Sequence, residues 1–433
     1  MSEAIGIGMI GLGTVGGGVA QLLLDAPSAM RRREGVRFQI QRVAVRDPKK
    51  SRAVSLADGV VGTDPGTVLS DPSVQVVVEL TGAPSAVDWI SDALKAGKDV
   101  VTANKAVIAE HGDELFALAL ERGVDLMFEA SVAGGIPIIR SLRNGLVANR
   151  VESLSGILNG TTNYIMTRMT RGEGDYATIL ADAQEKGFAE SDPTMDVSGQ
   201  DAAQKLVILS RIAFHTTGTA ADVFCEGIES IETVDIEFAR ELGYTIKLLA
   251  IAKHNYGDKV EARVHPVMVP NESLLANIHD EYNAIEVVGS AVDTQVFYGK
   301  GAGRMPTASA VVSDLVELAQ RKRSGATTAI GDMILGDEAA SYADVSDSEI
   351  RYYLRMRVKD QPGVLEAIAR ILAHGEISIA SVLQKERDLQ GGAVPLVIVT
   401  HEARESAMQE AISAIDGLDI VEVGVRFIRM EEL

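Results

Sequence analysis

A short apolar strand, AIGIGMI, runs straight into GLGTVGGGVAQLLL, where the apolar spacing turns from sheet-like to helical. Gly11, Gly13 and Gly16 sit at that junction as G-x-G-x-x-G, with Thr14 and Val15 filling the turn. The first glycine permits a tight turn, the second admits a pyrophosphate to the backbone, and the third lets the helix lie close to the strand. The helix N-terminus then offers free N–H groups to phosphate oxygens. Glycines in this pattern are weak evidence alone. At a strand-to-helix junction near the start of a chain they point to a dinucleotide cradle.

The elements that follow keep a βα rhythm. RFQIQRVAV reads as a second strand, and VQVVVELTG as a third, aliphatic enough to be buried on both faces. SAVDWISDALKAG is a helix closed by Gly97, DVVTANK a fourth strand, DELFALALERG a helix and VDLMFEASV a fifth strand. This alternation predicts an α/β domain with a doubly wound parallel sheet of the Rossmann kind. Strand ends line the ligand crevice of such a sheet. Thr81 falls at the third end, Asn104-Lys105 at the fourth and Glu129 at the fifth. The second strand ends in Arg46-Asp47-Pro48-Lys49-Lys50. Asp47 suits the ribose hydroxyl of NAD, whereas Arg46 and the lysines suit the 2′-phosphate of NADP. The basic groups outnumber the acid in an acidic chain, so NADP is expected, with NAD possible.

The chain has 433 residues and a formal charge of −20. That length implies two or three domains. That charge repels nucleic acid and anionic lipid, so neither is an expected partner. No apolar run approaches the roughly 20 residues that span a bilayer. The N-terminus shows no secretory signal, and the one cysteine, Cys225, has no partner for an internal disulfide. Both features suggest the cytoplasm. Cys225 reads as structural, and so does His265, in an extended segment before Pro266.

Beyond residue 136 the pattern becomes α+β. IPIIRSLRNGL reads as a helix, VESLSGILN as a strand, and GTTNYIMTRMT and DYATILADAQEKG as helices. KVEARVHPVMV, NAIEVVGSAV and TQVFYGKG suggest antiparallel strands. The glycine-rich turn holding Gly301, Gly303 and Arg304 leads into a helix that can return to the nucleotide domain. The richest stretch is AQEKGFAESDPTMDVSGQDAAQK, which gathers Glu190, Asp192, Asp196 and Asp201 around Lys205. Asp201 and Lys205 stand four apart on a helical pattern, so they share a face and can pair. A lone pair of this kind is ordinarily a surface salt bridge worth a few tenths of a kcal/mol. The carboxylate-rich loop before it and the cradle at the start of the chain favour function.

That stretch resembles the homoserine dehydrogenase signature without a gap, at Ala183, Gly187-Phe188-Ala189, Asp192-Pro193, Asp196-Val197, Gly199, Asp201 and Lys205. The cradle, VVTANK, EASVAGGIP and GAGRMPTASAVVSDL resemble the same family, so the likeness spans residues 1 to 323. It implies NAD(P)H-dependent interconversion of L-aspartate 4-semialdehyde and L-homoserine, in the biosynthesis of threonine, methionine and isoleucine. By resemblance, Lys205 is the proton donor, Asp201 holds its ammonium, and Glu190 and Asp196 bind the substrate amino group. The resemblance also implies Lys105 between substrate and nicotinamide; the turn with Gly301, Gly303 and Arg304 stands where a backbone can close over the cofactor. Glu129, Val132, Gly134 and Ile136 match a loop that holds a monovalent cation, Na or K, mostly through carbonyls; a plain tight turn is the alternative. Another small aldehyde or hydroxy acid as substrate, or a catalytically silent sensor, are the rival readings. No kinase-like region precedes the cradle, so a monofunctional enzyme is expected.

Residues 324–348 are small, polar and acidic, and read as a linker. From there RYYLRMRVKD, VLEAIARILAHG, ISIASVLQKE, VPLVIVTHE, ESAMQEAISAID and DIVEVGVRFIRM spell βαββαβ, a ferredoxin-like fold. With D-Q-P-G-V-L at the first βα turn, it resembles the ACT family of amino-acid sensors. The resemblance implies an effector carboxylate at Gly363 and Val364, L-threonine as effector, and a homo-dimer or homo-tetramer. The expected domains are 1–135, completed by the helix 304–322, for the nucleotide; 136–303 for substrate and dimerisation; the linker 324–348; and 349–433 for regulation.

Overall fold

The computed structural model describes residues 4–25, 34–254, 259–326, 339–384 and 393–432. Six strands, β1 (Ile5–Ile10), β2 (Phe38–Ala44), β3 (Val61–Gly62), β4 (Val76–Glu79), β5 (Asp99–Thr102) and β6 (Leu126–Met127), make a parallel sheet ordered β3-β2-β1-β4-β5-β6. The order reverses between β1 and β4, and the crevice at such a switch point is where ligands bind. β4 and β5 are buried along their whole length, as their aliphatic runs require. The helix Arg304–Ser324 returns to this domain and lies on the helix Thr14–Asp25. Gly18 makes that contact possible, because a Cβ there would stand 2.8 Å from the Arg304 carbonyl oxygen.

A second sheet runs through the rest of the chain. Its first part holds β7 (Val151–Ile157), β8 (Phe224–Cys225), β9 (Tyr244–His254), β10 (Lys259–Pro270), β11 (Tyr282–Gly289) and β12 (Asp293–Lys300). The order is β12-β11-β7-β9-β10, and every neighbour pair along it is antiparallel. Helices Gly160–Thr170 and Gln200–Phe214 pack on it. The stretch IPIIRSLRNGL is less regular than its apolar pattern suggests: one turn, Ile138–Arg140, passes into a π-helix, Ser141–Gly145.

The C-terminal part adds β13 (Ser341–Tyr342), β14 (Glu349–Lys359), β15 (Ile379–Leu383), β16 (Ala393–Thr400), β17 (Ala403–Arg404) and β18 (Val421–Met430). The order β18-β14-β16-β15, with helices Val364–His374 and Glu405–Asp416 sharing its core, is the ferredoxin-like βαββαβ arrangement. This sheet does not stand apart. β10 carries three parallel partners in succession on one edge: β13 at Lys259–Val260, β8 at Arg263–Val264 and β18 at Val267–Met268. The last of these joins the two parts into one twelve-stranded sheet. The middle of the expected linker, 327–338, lies outside the described residues. Its end is built in: Tyr342 reaches Thr216 through hydroxyls 3.2 Å apart, and Ala340 accepts a bond from the Thr217 N–H. Among the described residues no helix is long and apolar enough to cross a membrane.

Candidate active site

Each cradle glycine has a distinct local reason. Gly11 has φ +102°, and a Cβ on it would crowd the Leu80 carbonyl at 2.9 Å. A Cβ on Gly16 would stand 2.4 Å from the Gly11 oxygen, so that glycine closes the helix onto the turn. Gly13 faces open space, as it must if a pyrophosphate is to approach. The cradle therefore fits a dinucleotide. Behind it, the wholly buried Glu79 at the end of β4 ties two strand ends together. Its carboxylate accepts from the Thr81 hydroxyl at 2.6 Å and from the Thr102 hydroxyl at 2.8 Å. Asn104 caps the next helix by accepting from the Val107 N–H, and donates to the Ala83 carbonyl at 3.1 Å. Lys105 is then the first residue of the helix Lys105–Arg122.

The second set of groups comes from the other sheet. Gly199 has φ +85° and starts the helix Gln200–Phe214, which carries Asp201 and Lys205 on one face. Lys205 Nζ donates to Asp201 Oδ2 at 2.6 Å and to the Leu158 carbonyl at 2.7 Å. Lys105 Nζ lies 3.2 Å from Asp201 Oδ1, so the carboxylate sits between two ammoniums from two domains. Asn159, just past β7, donates to Asp201 Oδ2 at 2.8 Å and to Asp196 Oδ1 at 2.7 Å. Burial pushes the Asp201 carboxyl up. The charges of Lys205 and Lys105, with the bonds from Lys205 and Asn159, outweigh it and hold the pKa down at about 2. Asp201 is thus ionised at any working pH.

Lys105, Lys205, Asp201 and Asp196 form one cluster. Glu190 is exposed on the preceding loop, where its backbone carbonyl accepts from the Gln184 amide at 3.0 Å. Arg46 is exposed beside Asp47, whose carboxylate accepts the Lys49 N–H at 2.9 Å. Three groups that sequence reading passed over complete the site: Asn159, Glu79 and Arg211. Arg211 is buried and bolts the two lysine-bearing helices together. It donates to the Ile108 carbonyl at 2.9 Å and pairs with Asp113 at 2.8 Å. Asn159 carries a faint signal, since an Asn before a helical pattern is a cap. It is one, accepting the Thr162 N–H at 2.9 Å, and its amide group does the bridging.

The loop after β6 packs against the entry to the helix Arg304–Ser324. A Cβ on Gly134 would meet the Gly301 oxygen at 2.8 Å, and the Gly135 N–H donates to the Lys300 carbonyl at 2.9 Å. Glu129 is buried, and its carboxylate accepts the N–H groups of Ile139 and Arg140 at 2.9 and 2.8 Å. Burial pushes its pKa up, against the pull of those bonds and of Arg140. Ala133 is held at φ +50° between Val132 and Gly134. Gly303, at φ +116°, precedes the helix Arg304–Ser324 directly. Cys225 and His265 have structural surroundings: the thiol donates to the Ser198 carbonyl, and the imidazole is wholly buried against Arg263.

A dinucleotide cradle whose strand ends face a Lys–Asp–Lys cluster defines a nicotinamide-dependent oxidoreductase. Models of two homoserine dehydrogenase domains match the chain, the NAD-binding domain over residues 11–129 and the catalytic domain over 137–316, and an ACT domain model matches 352–417. The homoserine dehydrogenase of Pseudomonas aeruginosa is 41% identical over all of both chains. That of Bacillus subtilis is 40% identical over 97% of this chain and 96% of its own. The crystal structure of a homoserine dehydrogenase from Thiobacillus denitrificans superposes with a TM-score of 0.93 at 42% identity, covering 99% of each chain. The chain belongs to the homoserine dehydrogenase family, NAD(P)-dependent enzymes that interconvert L-aspartate 4-semialdehyde and L-homoserine.

Proposed function

We propose that Lys205 is the proton donor and acceptor of this reaction, with Asp201 and Lys105 as its electrostatic frame. A bound reduced nicotinamide supplies hydride to the aldehyde carbon, and the substrate oxygen gains negative charge. The single observation that carries the reading is the disposition of the Lys205 ammonium. Of its three N–H groups, one is spent on Asp201 and one on Leu158. Among the described residues no other group takes the third, which is left for the substrate oxygen. Proton transfer to that oxygen from a positioned acid contributes about 10²–10⁴ in rate. In the reverse direction the same nitrogen takes the hydroxyl proton. Lys105, a third exposed at the mouth of the cluster, adds positive charge facing the same oxygen. Asp196, and Glu190 from the loop, receive the substrate ammonium.

The cradle residues Gly11, Gly13, Thr14, Val15 and Gly16, with Thr81, Lys105 and Gly303, hold the cofactor. NADP is the preferred form. Asp47 spends a carboxylate oxygen on the Lys49 N–H, while Arg46, Lys49 and Lys50 are exposed for a 2′-phosphate. The carbonyls of Val132, Gly134 and Ile136 offer hard oxygen ligands beside one buried carboxylate, Glu129, a donor set that suits a monovalent cation. Homoserine oxidation assayed with NADP and NAD side by side tests both the substrate and the preference. Absence of homoserine-dependent turnover with either cofactor would overturn the reading.

Regulation by L-threonine belongs to the same proposal. A cavity of about 220 Å³ is lined by the turn from Asp360 to Glu366 together with Gln384 and Leu396. Gly363, at φ +91°, opens the helix Val364–His374 there without a side-chain cap, which leaves its first N–H groups for an effector carboxylate. Among the described residues, β12 and β15 end the long sheet with unpaired edges, which supports assembly into a homo-dimer or homo-tetramer. Activity followed during a threonine titration tests the effector; no change at millimolar threonine counts against it.

A further inference from the structure

Arg429, near the end of β18, gathers charges from two parts of the chain. Its guanidinium holds Glu405 at both ends, Nε to Oε2 at 2.9 Å and Nη2 to Oε1 at 2.7 Å. Glu405 opens the helix Glu405–Asp416 of the C-terminal part and also accepts from the Tyr352 hydroxyl at 2.6 Å. The remaining nitrogen, Nη1, donates to Glu226 Oε2 at 2.7 Å. The guanidinium lies over the Phe224 ring, 4.7 Å from its centroid. Arg429 is only 2% exposed, so these partners fix it.

Glu226 directly follows β8. Its N–H donates to the Val264 carbonyl at 2.8 Å, which continues the β8 pairing on β10. On either side of it the chain grips the turn before the helix Gln200–Phe214. The Cys225 thiol donates to the Ser198 carbonyl at 3.2 Å, and the Ile228 N–H to the Val197 carbonyl at 2.9 Å. The fit leaves no slack: a Cβ on Gly227 would stand 2.4 Å from the Val197 oxygen, and one on Gly199 3.0 Å from the Cys225 sulfur. Val197, Ser198 and Gly199 lie between Asp196 and Asp201.

We infer that Arg429 and Glu226 are positioning residues for the reaction: the ion pair clamps residues 224–228 against the 197–199 turn, and so holds Asp196 in place for the substrate ammonium. A side chain of the C-terminal sheet thereby sets affinity at the catalytic site. The inference rests on the assignment of Asp196 to that ammonium. The pair is charge-assisted and desolvated on the arginine side, so its loss is felt at the turn rather than absorbed by water.

The test compares Glu226→Gln, Glu226→Asp and Asp196→Asn in the full-length enzyme by steady-state kinetics in homoserine and in cofactor. Glu226 is about a third exposed, so neither of its variants threatens the fold. Glu226→Gln is expected to raise KM for homoserine about tenfold, with kcat within about twofold and the cofactor KM unchanged, as loss of uniform substrate binding requires. Glu226→Asp, which keeps the charge, is expected to recover most of that affinity; a merely structural role predicts no such rescue. Asp196→Asn raising KM while Glu226→Gln leaves it unchanged overturns this inference alone. An unchanged KM in Asp196→Asn overturns the ammonium assignment and the inference with it. Equal effects of Glu226→Gln on the homoserine and cofactor KM overturn the inference by showing a general loss of order.

Discussion

Replacing Lys205 by Met keeps the length of the side chain and removes its proton. The expected outcome is a fall in kcat of about 10²–10⁴, the span that one positioned acid supplies. Cofactor affinity, measured by fluorescence titration, should stay near the native value, because the cradle lies on the other domain. Native turnover in that variant would exclude Lys205 from proton transfer. Asp201→Asn makes a different point. The folded-state pKa of about 2 lies below the ordinary 3.8, so the native state resists protonation more than the unfolded chain does. The stabilisation from this charge is therefore complete above pH 3.8 and is lost as pH falls through 2. The stability difference between wild type and Asp201→Asn, read by urea unfolding, should be constant near neutrality and shrink below about pH 4. A difference independent of pH down to 2 would show that the ionised carboxylate is not what the fold stabilises. The i, i+4 spacing of Asp201 and Lys205 and the strand-end place of Lys105 are written in the sequence. The role of Asn159 is not: its amide reaches Asp196 and Asp201, 37 and 42 residues away, only after the sheet has formed.

At the scale of the elements, the glycines before and within the first helix separate binding from packing. Gly13 faces open space, so Gly13→Ala should leave the melting temperature nearly unchanged. The added methyl stands where a pyrophosphate approaches, so cofactor Kd should rise by about tenfold or more. Gly18→Ala should do the reverse. Its Cβ would meet the Arg304 oxygen at 2.8 Å and the Ala308 Cβ at 2.9 Å, both on rigid helix. Overpacking of that kind costs about 1–3 kcal/mol, visible in thermal denaturation, with a smaller effect on cofactor binding. Calorimetry and cofactor titration of the two variants distinguish these outcomes, and equal losses in both measurements would refute the division. The first sheet was readable because its strands are aliphatic runs between turn signals. β3 is two residues long and carries no pattern. β9 is eleven residues long, but YTIKLLAIAKH mixes helix formers with β-branched residues, and Lys247 stands buried in its middle. Its identity as the sheet centre comes from pairing with β7 and β10, a tertiary fact.

Across the whole molecule, the C-terminal βαββαβ unit is legible from local periodicity, but its attachment is not. β18 and β10 are more than 150 residues apart in sequence, and only two residue pairs join them. What makes that short seam strong is charge buried on both sides of it. Arg263 on β10 is 1% exposed and pairs with Glu431 just past β18, while Glu431 also takes Lys253 from β9. Asp235, 2% exposed on the helix Thr233–Leu242, receives Arg355 at 2.6 Å and the Tyr353 hydroxyl at 3.1 Å, both from β14. A chain ending at residue 348 leaves Asp235 without those partners, Arg263 with Glu261 as its remaining carboxylate, and the Val267–Met268 end of the β10 edge open. Removing one member of a buried pair costs about 3–5 kcal/mol, and an open edge invites aggregation. The truncated chain should therefore melt well below the full-length protein, or precipitate, rather than persist as an enzyme freed from regulation. Glu431→Gln samples the same seam with the chain intact. It should cost about 2–3 kcal/mol in urea unfolding, because Arg263 keeps Glu261. A module tethered only by a linker predicts instead that the truncated chain keeps its native melting temperature and kcat. That result, with a silent Glu431→Gln, would mean that the shared sheet contributes nothing to the stability of the catalytic part.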